Sequence, residues 1–344
     1  MHRIRDFIFH EHTLVFLFCT AVIIGPAISI LFAYDLSQFS DCHTYLGLAI
    51  FDFDQSPVRR FRVLIPFAAA LLNFLFGGLF GKLAPTYFTG DFGLPFSFFA
   101  INTFLMSYFG LLIYRYCKAY GLNAFMALGG VLVMLTSRYT IYLSGLPLVD
   151  SLFCVTVAWT LLGIKEKNTS MLLWAIFLGP WAKEAFIFVA PLIFFFSHIS
   201  RKKLALYFLL SGALVFSYRY IYELYAPPVF MSGLKADLYH IYLAPQFMRV
   251  LFSFYGLYKI LSNLFLWILA PLLAWVFIPG YATKLWTGSD RVIKWFVVCV
   301  FIQMLLSVSV ERMFYTAMPV LCLWIAMSAN LLKKVYLQRK NKFL

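Results

Sequence analysis

The sequence predicts an all-α polytopic membrane protein with about ten transmembrane helices. Of its 344 residues, 63% are hydrophobic and only 12% are charged, and the cations stand in short clusters between apolar runs. A soluble domain averages about 25% charged residues, so this composition excludes soluble, disordered and disulfide-stabilised classes of protein. At about 20 residues per span plus connections, residues 1–344 form a single transmembrane domain.

The first expected span, residues 14–33, begins shortly after Arg3 and Arg5. This run lacks a clear small-residue cleavage site, so we expect a retained anchor rather than a cleaved signal peptide. The other runs form two groups, core spans within 96–222 and C-terminal spans within 223–344. They lie at 96–114, 122–137, about 146–164, 170–181, 185–199, 204–222, 258–279, 292–310 and 313–332.

Lysine and arginine clusters set the expected orientation, because cytoplasmic loops carry an excess of these residues. The basic tail after residue 332 is therefore placed in the cytoplasm. Counting spans backward places the other clusters and the N-terminus on the same side. These clusters are Lys284 with Arg291 and Lys294, Arg201 to Lys203, Lys165 with Lys167, and Arg115 with Lys118. This parity makes residues 34–95 a first external loop.

One apolar run, residues 61–81, falls inside that external loop. Pro66, a glycine pair at 77–78 and the neighbouring arginines favour a juxtamembrane or re-entrant helix. Irregular backbone at membrane depth is tolerated where it lines a protein cavity. The alternative is that 61–81 crosses the bilayer and that one other span is assigned wrongly.

The fourteen acidic residues divide unequally between the two sides. Ten fall outside, namely Asp35, Asp41, Asp52, Asp54, Asp91, Asp150, Glu184, Glu223, Asp237 and Glu311. Four fall inside, namely Asp6, Glu11, Glu166 and Asp290. Because acids contribute little to the orientation rule, insertion does not explain this asymmetry, which indicates an external polar site.

The first external loop contains one half of the candidate site. Asp41, His43 and Tyr45 follow the first span, and the i,i+4 spacing of Asp41 and Tyr45 puts both on one helix face. A basic trio, Arg59, Arg60 and Arg62, stands just before the apolar run 61–81 or within its first turn. A carboxylate beside arginines suits an acceptor hydroxyl and a lipid phosphate. Alternatively, Asp41 is a solvated loop acid and the arginines only reach lipid headgroups.

The other half comes from three later segments. Asp150 begins an apolar span, downstream of Arg138, and a lone carboxylate there is costly unless it faces a cavity or partner. The pairs Lys183–Glu184 and Glu311–Arg312 also interrupt apolar sequence on the external side. The competing explanations are a helix N-cap for Asp150, a water-facing hairpin for Lys183–Glu184 and a structural ion pair for Glu311–Arg312.

The order of these features resembles the GT-C class of polyprenyl-phosphate-sugar-dependent membrane glycosyltransferases. The resemblance rests on FSDCHTYLGLA, SPVRRFRVLIP, IYRYCKAYG, RYTIYLSGLPLVD, WAKEAF and VERMFYTAMPVL. The chain departs from that class because Asp41 is not part of an acidic pair, loop 223–247 is short, and no large soluble C-terminal domain follows. These departures argue against an oligosaccharyltransferase and favour a monosaccharide transferase.

The resemblance implies a sugar on a polyprenyl phosphate as donor and an external glycan, glycolipid or protein hydroxyl as acceptor. Catalysis would be inverting, with Asp41 as general base, and the second catalytic residue, Asp150, would hold an acceptor hydroxyl, a basic partner or a metal. The donor phosphate would be bound by Arg59, Arg60, Arg138, Lys183 and Arg312, and His43, Tyr45, Glu184 and Glu311 would support the site. A divalent cation, Mg or Mn, would use Asp41 and Asp150 as ligands. The expected location is a bacterial inner membrane.

Two other functions stay open on the sequence. One is a transporter or flippase of an anionic lipid or solute, since charges and broken helices also mark transport pathways. The other is a non-catalytic envelope assembly protein. A histidine-dependent acyltransferase has weaker support, since His43 and His240 have no motif around them. Clustered loop cations exclude nucleic acid as a partner, and the six scattered cysteines give no metal motif.

Overall fold

The computed structural model describes residues 10–36, 39–56, 59–84, 91–226, 243–307 and 309–343. Within these ranges every regular element is helical. The first helices in chain order are α1 Glu11–Ala33, α2 Ser40–Ala49, α3 Leu64–Gly81, α4 Gly93–Ala119, α5 Ala124–Leu135, α6 Arg138–Gly145, α7 Asp150–Lys165 and α8 Thr169–Ala182. They are followed by the 3₁₀ turn Glu184–Phe188, α9 Ala190–Phe196 and α10 Arg201–Tyr225.

The C-terminal part continues in the same manner. It contains α11 Ala244–Leu251, α12 Phe254–Leu264, the 3₁₀ turn Phe265–Ile268, α13 Leu269–Phe277, α14 Tyr281–Gly288, α15 Arg291–Leu305, α16 Val310–Tyr315 and α17 Met318–Phe343. Side chains of Asn123, Asn168 and Asp290 accept hydrogen bonds from backbone N–H groups of the first turn and so begin α5, α8 and α15. These caps place helix starts between apolar runs.

In the described ranges, six helical segments are long and apolar enough to cross a membrane, or seven if one bent pair is counted as a single span. The expected number of about ten is therefore not confirmed. The 170–181 and 185–199 runs give helices of only 14 and 7 residues, and the 292–310 run gives one of 15. At 1.5 Å per residue, these are shorter than the roughly 30 Å hydrocarbon core. Apolar composition marks a segment as membrane-embedded without fixing helix length.

The predicted run 122–137 forms α5, and the chain then bends by 63° into α6. The break falls at Thr136 and Ser137, two residues that favour helix ends because their hydroxyls bond to the backbone. Gly145 at the end of α6 lies against α1, where a Cβ would stand 2.5 Å from the Ala27 carbonyl oxygen. The absence of a side chain therefore allows α6 to pack on α1.

The core forms around α4 and α7. Helix α4 packs against α1, α3, α5 and α7, and α7 is buried around almost its whole circumference. The Asn102 side chain of α4 donates to the carbonyl oxygens of Leu146 and Leu148, each at 3.0 Å, and accepts from the Ser151 hydroxyl. This buried amide fixes the turn immediately before α7, and Asp150 is the first residue of that helix.

Charged side chains gather at opposite ends of α7. Asp150 and Lys165 are separated by 15 residues of helix, about 22 Å at 1.5 Å per residue. At the Lys165 end, three ion pairs join residues predicted to be cytoplasmic: Arg115–Glu166 at 2.5 Å, Lys165–Asp290 at 3.4 Å and Lys118–Glu11 at 3.7 Å. At the Asp150 end lie acids predicted to be external. Asp6 and Asp237 are outside the described residues.

Helix α3 contains most of the ambiguous run 61–81. It is long and apolar enough to cross a membrane. Arg62, just before its start, lies at the Asp150 end, and Gly77 near its end lies against Gly93, the first residue of α4. Helix α4 ends at the Lys165 end, so neither terminus of α3 approaches that side. A non-crossing α3 stays our prediction.

Candidate functional site

Five side chains from distant parts of the sequence form one chain of ion pairs at the Asp150 end. The Arg312 guanidinium donates to Asp41 Oδ2 at 2.5 Å and to Asp150 Oδ2. Lys183 Nζ donates to Asp150 Oδ1 at 2.6 Å, and Arg59 pairs with Asp41 Oδ1 at 2.8 Å. We call these five residues, Asp41, Arg59, Asp150, Lys183 and Arg312, the charged network.

Local structure explains why these side chains meet. Asp41 lies in the first turn of α2 and Asp150 in that of α7, where helix dipoles favour negative charge. Lys183 has extended backbone angles, φ −166° and ψ 141°, between α8 and the following 3₁₀ turn. Arg312 lies on the six-residue helix α16. Helix ends and short connections therefore supply every member.

A second set of contacts adjoins the network through α2. The Arg62 guanidinium donates to the Tyr45 hydroxyl and to Glu184 Oε2, both at 2.9 Å. Arg219 pairs with the other Glu184 oxygen at 3.6 Å. Burial raises the pKa of Tyr45 to about 12, although Arg62 opposes that rise. Tyr45 is therefore a neutral hydrogen-bonding group at physiological pH.

The charged network carries excess positive charge. Arg59, Lys183 and Arg312 supply three cations, and Asp41 and Asp150 supply two carboxylates, a surplus of one. Burial alone would lower the pKa of Arg312, but Asp150 and Asp41 raise it well above its usual value. Arg312 is thus a permanent cation. The surplus matches an anionic ligand such as a phosphate.

Four predicted site residues, Arg60, Arg138, His43 and Glu311, lie apart from the network and from the contacts of Arg62 beside it. Arg60 is buried and donates to Glu223 at 3.0 Å and to the Ala226 carbonyl at 2.8 Å. Arg138 is exposed, with its guanidinium 5.4 Å from the centre of the Tyr139 ring. His43 is exposed on α2. Of the predicted phosphate ligands, the network therefore joins Arg59, Lys183 and Arg312.

Glu311 pairs with Lys259, a residue that was not predicted to belong to the site. Lys259 Nζ donates to Glu311 Oε1 at 3.0 Å, and the Asn263 side chain donates to the Glu311 carbonyl at 3.2 Å. Both partners lie on α12, and α12 packs against α16. Lys259 could have been found from the sequence, because a lysine within an apolar run is costly without a partner. Arg62 was named in the basic trio without a partner, and Arg219 was not named as a site residue, because their partner Glu184 is distant in sequence.

The two network carboxylates do not fit a divalent cation as they are arranged. All four of their oxygens already contact cationic nitrogens, from Arg59, Lys183 and Arg312. The described residues contain no group of three or more His, Cys, Asp and Glu side chains placed to hold a metal. Magnesium and manganese need several oxygen ligands, so we derive no step through a metal.

An apolar groove lies between α1, α5 and α17, with a volume of about 590 Å³. Its lining is entirely apolar or aromatic, and the exposed side chains of Leu14 and Phe125 border it. Trp267, which also lines it, donates to the Thr136 hydroxyl at 2.6 Å. Arg138 follows two residues after Thr136.

Comparison with known proteins adds no relative: no family model, curated protein or solved structure matches this chain.

Proposed function

We propose that the protein is a membrane glycosyltransferase that moves a sugar from a polyprenyl-phosphate carrier to an external hydroxyl. The observation that carries the proposal is the charged network, in which two carboxylates and three cations meet at one end of the helical bundle. Carboxylates serve acid–base chemistry, and cations compensate the charge of a departing phosphate. The resemblance to GT-C enzymes in the order of these residues supports the same assignment.

In the proposed reaction, Asp41 accepts the proton of the acceptor hydroxyl. The oxygen attacks the anomeric carbon from the face opposite the phosphate, so the new glycosidic bond has inverted configuration. The carbon–oxygen bond to the phosphate breaks, and its electron pair leaves with the phosphate. Arg312, Lys183 and Arg59 stabilise that growing charge. General base catalysis of this kind typically contributes about 10²–10⁴-fold.

The carrier lipid is assigned to the apolar groove. An isoprenoid tail is uncharged along its length and fits a lining without polar side chains. Trp267 of the lining donates to Thr136, and the exposed Arg138 follows two residues later, where we expect the phosphate headgroup to lie. The Tyr139 ring of α6 lies 6.0 Å from the Tyr315 ring of α16. Because α16 also bears Arg312, the contact between α6 and α16 connects Arg138 with the charged network.

The decisive test uses Asp41→Asn in protein reconstituted with a radiolabelled polyprenyl-phosphate sugar and candidate acceptor glycans. We expect turnover to fall at least about 100-fold, as for a lost general base, with binding of the carrier retained. The matched control is Asp54→Asn, an exposed acid of the same loop, which should leave turnover unchanged.

Three results would contradict the proposal. Equal turnover by Asp41→Asn and wild type would show that Asp41 is not the general base. Movement of the unchanged lipid across sealed vesicles, without sugar transfer, would instead establish a flippase. If wild-type protein did not bind the carrier, the transferase proposal would fail and the role in envelope assembly would remain.

A further inference from the structure

Helix α15 has one polar residue on its buried face that the proposed mechanism does not use. Its buried positions are Ile293, Phe296, Val300, Gln303 and Met304. Gln303 is 2% exposed, and neither its amide nitrogen nor its amide oxygen has a hydrogen-bond partner among the described residues. Leaving a buried polar group unpaired destabilises the folded protein, so such a residue needs an explanation.

The position of α15 relates Gln303 to the candidate site. The helix begins beside Asp290, which pairs with Lys165 at the opposite end of the bundle, and Gln303 lies in its last turn before Leu305. At that end α15 leads into α16, which bears Arg312, and α15 also packs against the 3₁₀ turn that follows Lys183. Gln303 thus belongs to the helix that adjoins two of the proposed phosphate ligands.

A carboxamide can donate and accept at the same time, and adjacent hydroxyls of a sugar ring present both groups at matching spacing. An apolar lipid tail would leave both amide atoms unpaired, and a bare phosphate would satisfy only the donor. We propose that Gln303 binds hydroxyl groups of the carrier-linked sugar, and that it is a specificity-determining residue for that sugar. This inference rests on the proposed function, because it assumes a glycosylated carrier phosphate at Arg312 and Lys183.

A comparison of two buried amides tests the assignment. Gln303→Met keeps the side-chain length and removes both hydrogen-bonding groups. The control is Asn263→Leu at a 1% exposed amide whose nitrogen donates to the Glu311 carbonyl. We expect Gln303→Met to keep or raise the melting temperature of ligand-free protein, since an unpaired buried group is lost. Asn263→Leu should lower it, because a structural hydrogen bond is lost.

Binding is then measured in nanodiscs with polyprenyl-phosphate glucose and with bare polyprenyl phosphate. Gln303→Met should weaken binding of the sugar-bearing carrier about tenfold and leave that of the bare carrier unchanged. Equal weakening of both lipids, or a fall in ligand-free melting temperature as large as that of Asn263→Leu, would overturn the assignment. If wild-type protein bound neither lipid, both this inference and the proposed function would fail. If it bound both lipids, the proposed carrier would stand whatever the outcome for Gln303.

Discussion

Replacing Arg312 by methionine removes the residue that joins the two network carboxylates. Its side chain is 16% exposed, and those of Asp41 and Asp150 are 15% and 5% exposed, so water replaces the lost contacts poorly. Two charge-assisted hydrogen bonds disappear, each worth about 1.5–3 kcal/mol. Asp41 keeps Arg59 and Asp150 keeps Lys183, which limits the damage. We therefore expect the free energy of unfolding to fall by about 3–5 kcal/mol, the range for breaking a buried ion pair.

The assay is chemical unfolding in mixed detergent micelles, with a cycle that combines Arg312→Met and Asp150→Asn. The double variant should be more stable than the sum of the single losses predicts, because both changes remove the same bond. Arg312→Lys should recover only part of the stability, since one ammonium does not reproduce a guanidinium bridge. Arg339→Met is the control at an exposed arginine and should change stability by less than about 0.5 kcal/mol. If Arg312→Met lowered the free energy of unfolding as little as the control does, the charged network would not stabilise the fold, and the reasoning would be refuted.

Three further changes test other parts of the molecule. Burial would raise the pKa of Glu184, but Arg62 lowers it below its usual value. The ionised Glu184 therefore stabilises the fold at neutral pH, and this contribution is lost as the pH falls through the folded-state pKa. Between pH 7 and pH 3, the melting temperature should fall less for Glu184→Gln than for wild type. Gly129→Leu places a side chain in the open space of the apolar groove and should weaken carrier binding about tenfold, or 1.4 kcal/mol, whereas Gly25→Leu, also facing open space, should not. Lys259→Met leaves a buried carboxylate unpaired and should lower the free energy of unfolding by about 1.5–3 kcal/mol in micelles; no loss would show that the pair is dispensable.

The membrane class and the grouping of acids at one end follow from composition and the positions of cations. Positions next to apolar runs also indicated Asp41, Asp150, Lys183 and Arg312, because charges there are costly without partners. The structure brings these four together. Their roles in sugar transfer stay a prediction.

Other features depend on distances in space that sequence spacing does not encode. Arg62 and Glu184 are 122 residues apart, and Arg60 turns away to Glu223 although it adjoins Arg59. The expected number of about ten spans is not confirmed, since several apolar runs contain breaks, such as the 63° bend between α5 and α6. Hydropathy reports the surroundings of a segment, whereas helix length depends on local breaks and on packing.

The separation of the network residues along the chain implies an order of assembly during synthesis. Lys183 emerges 33 residues after Asp150, so these two can pair early. Arg312 emerges 162 residues after Asp150, about 8–32 s later at 5–20 residues per second. Throughout that interval, Arg59 is the only cation of the network that can pair with Asp41. Newly made protein therefore passes through a partly neutralised stage that ends only when α16 docks, and quality-control proteases would meet the chain in that window.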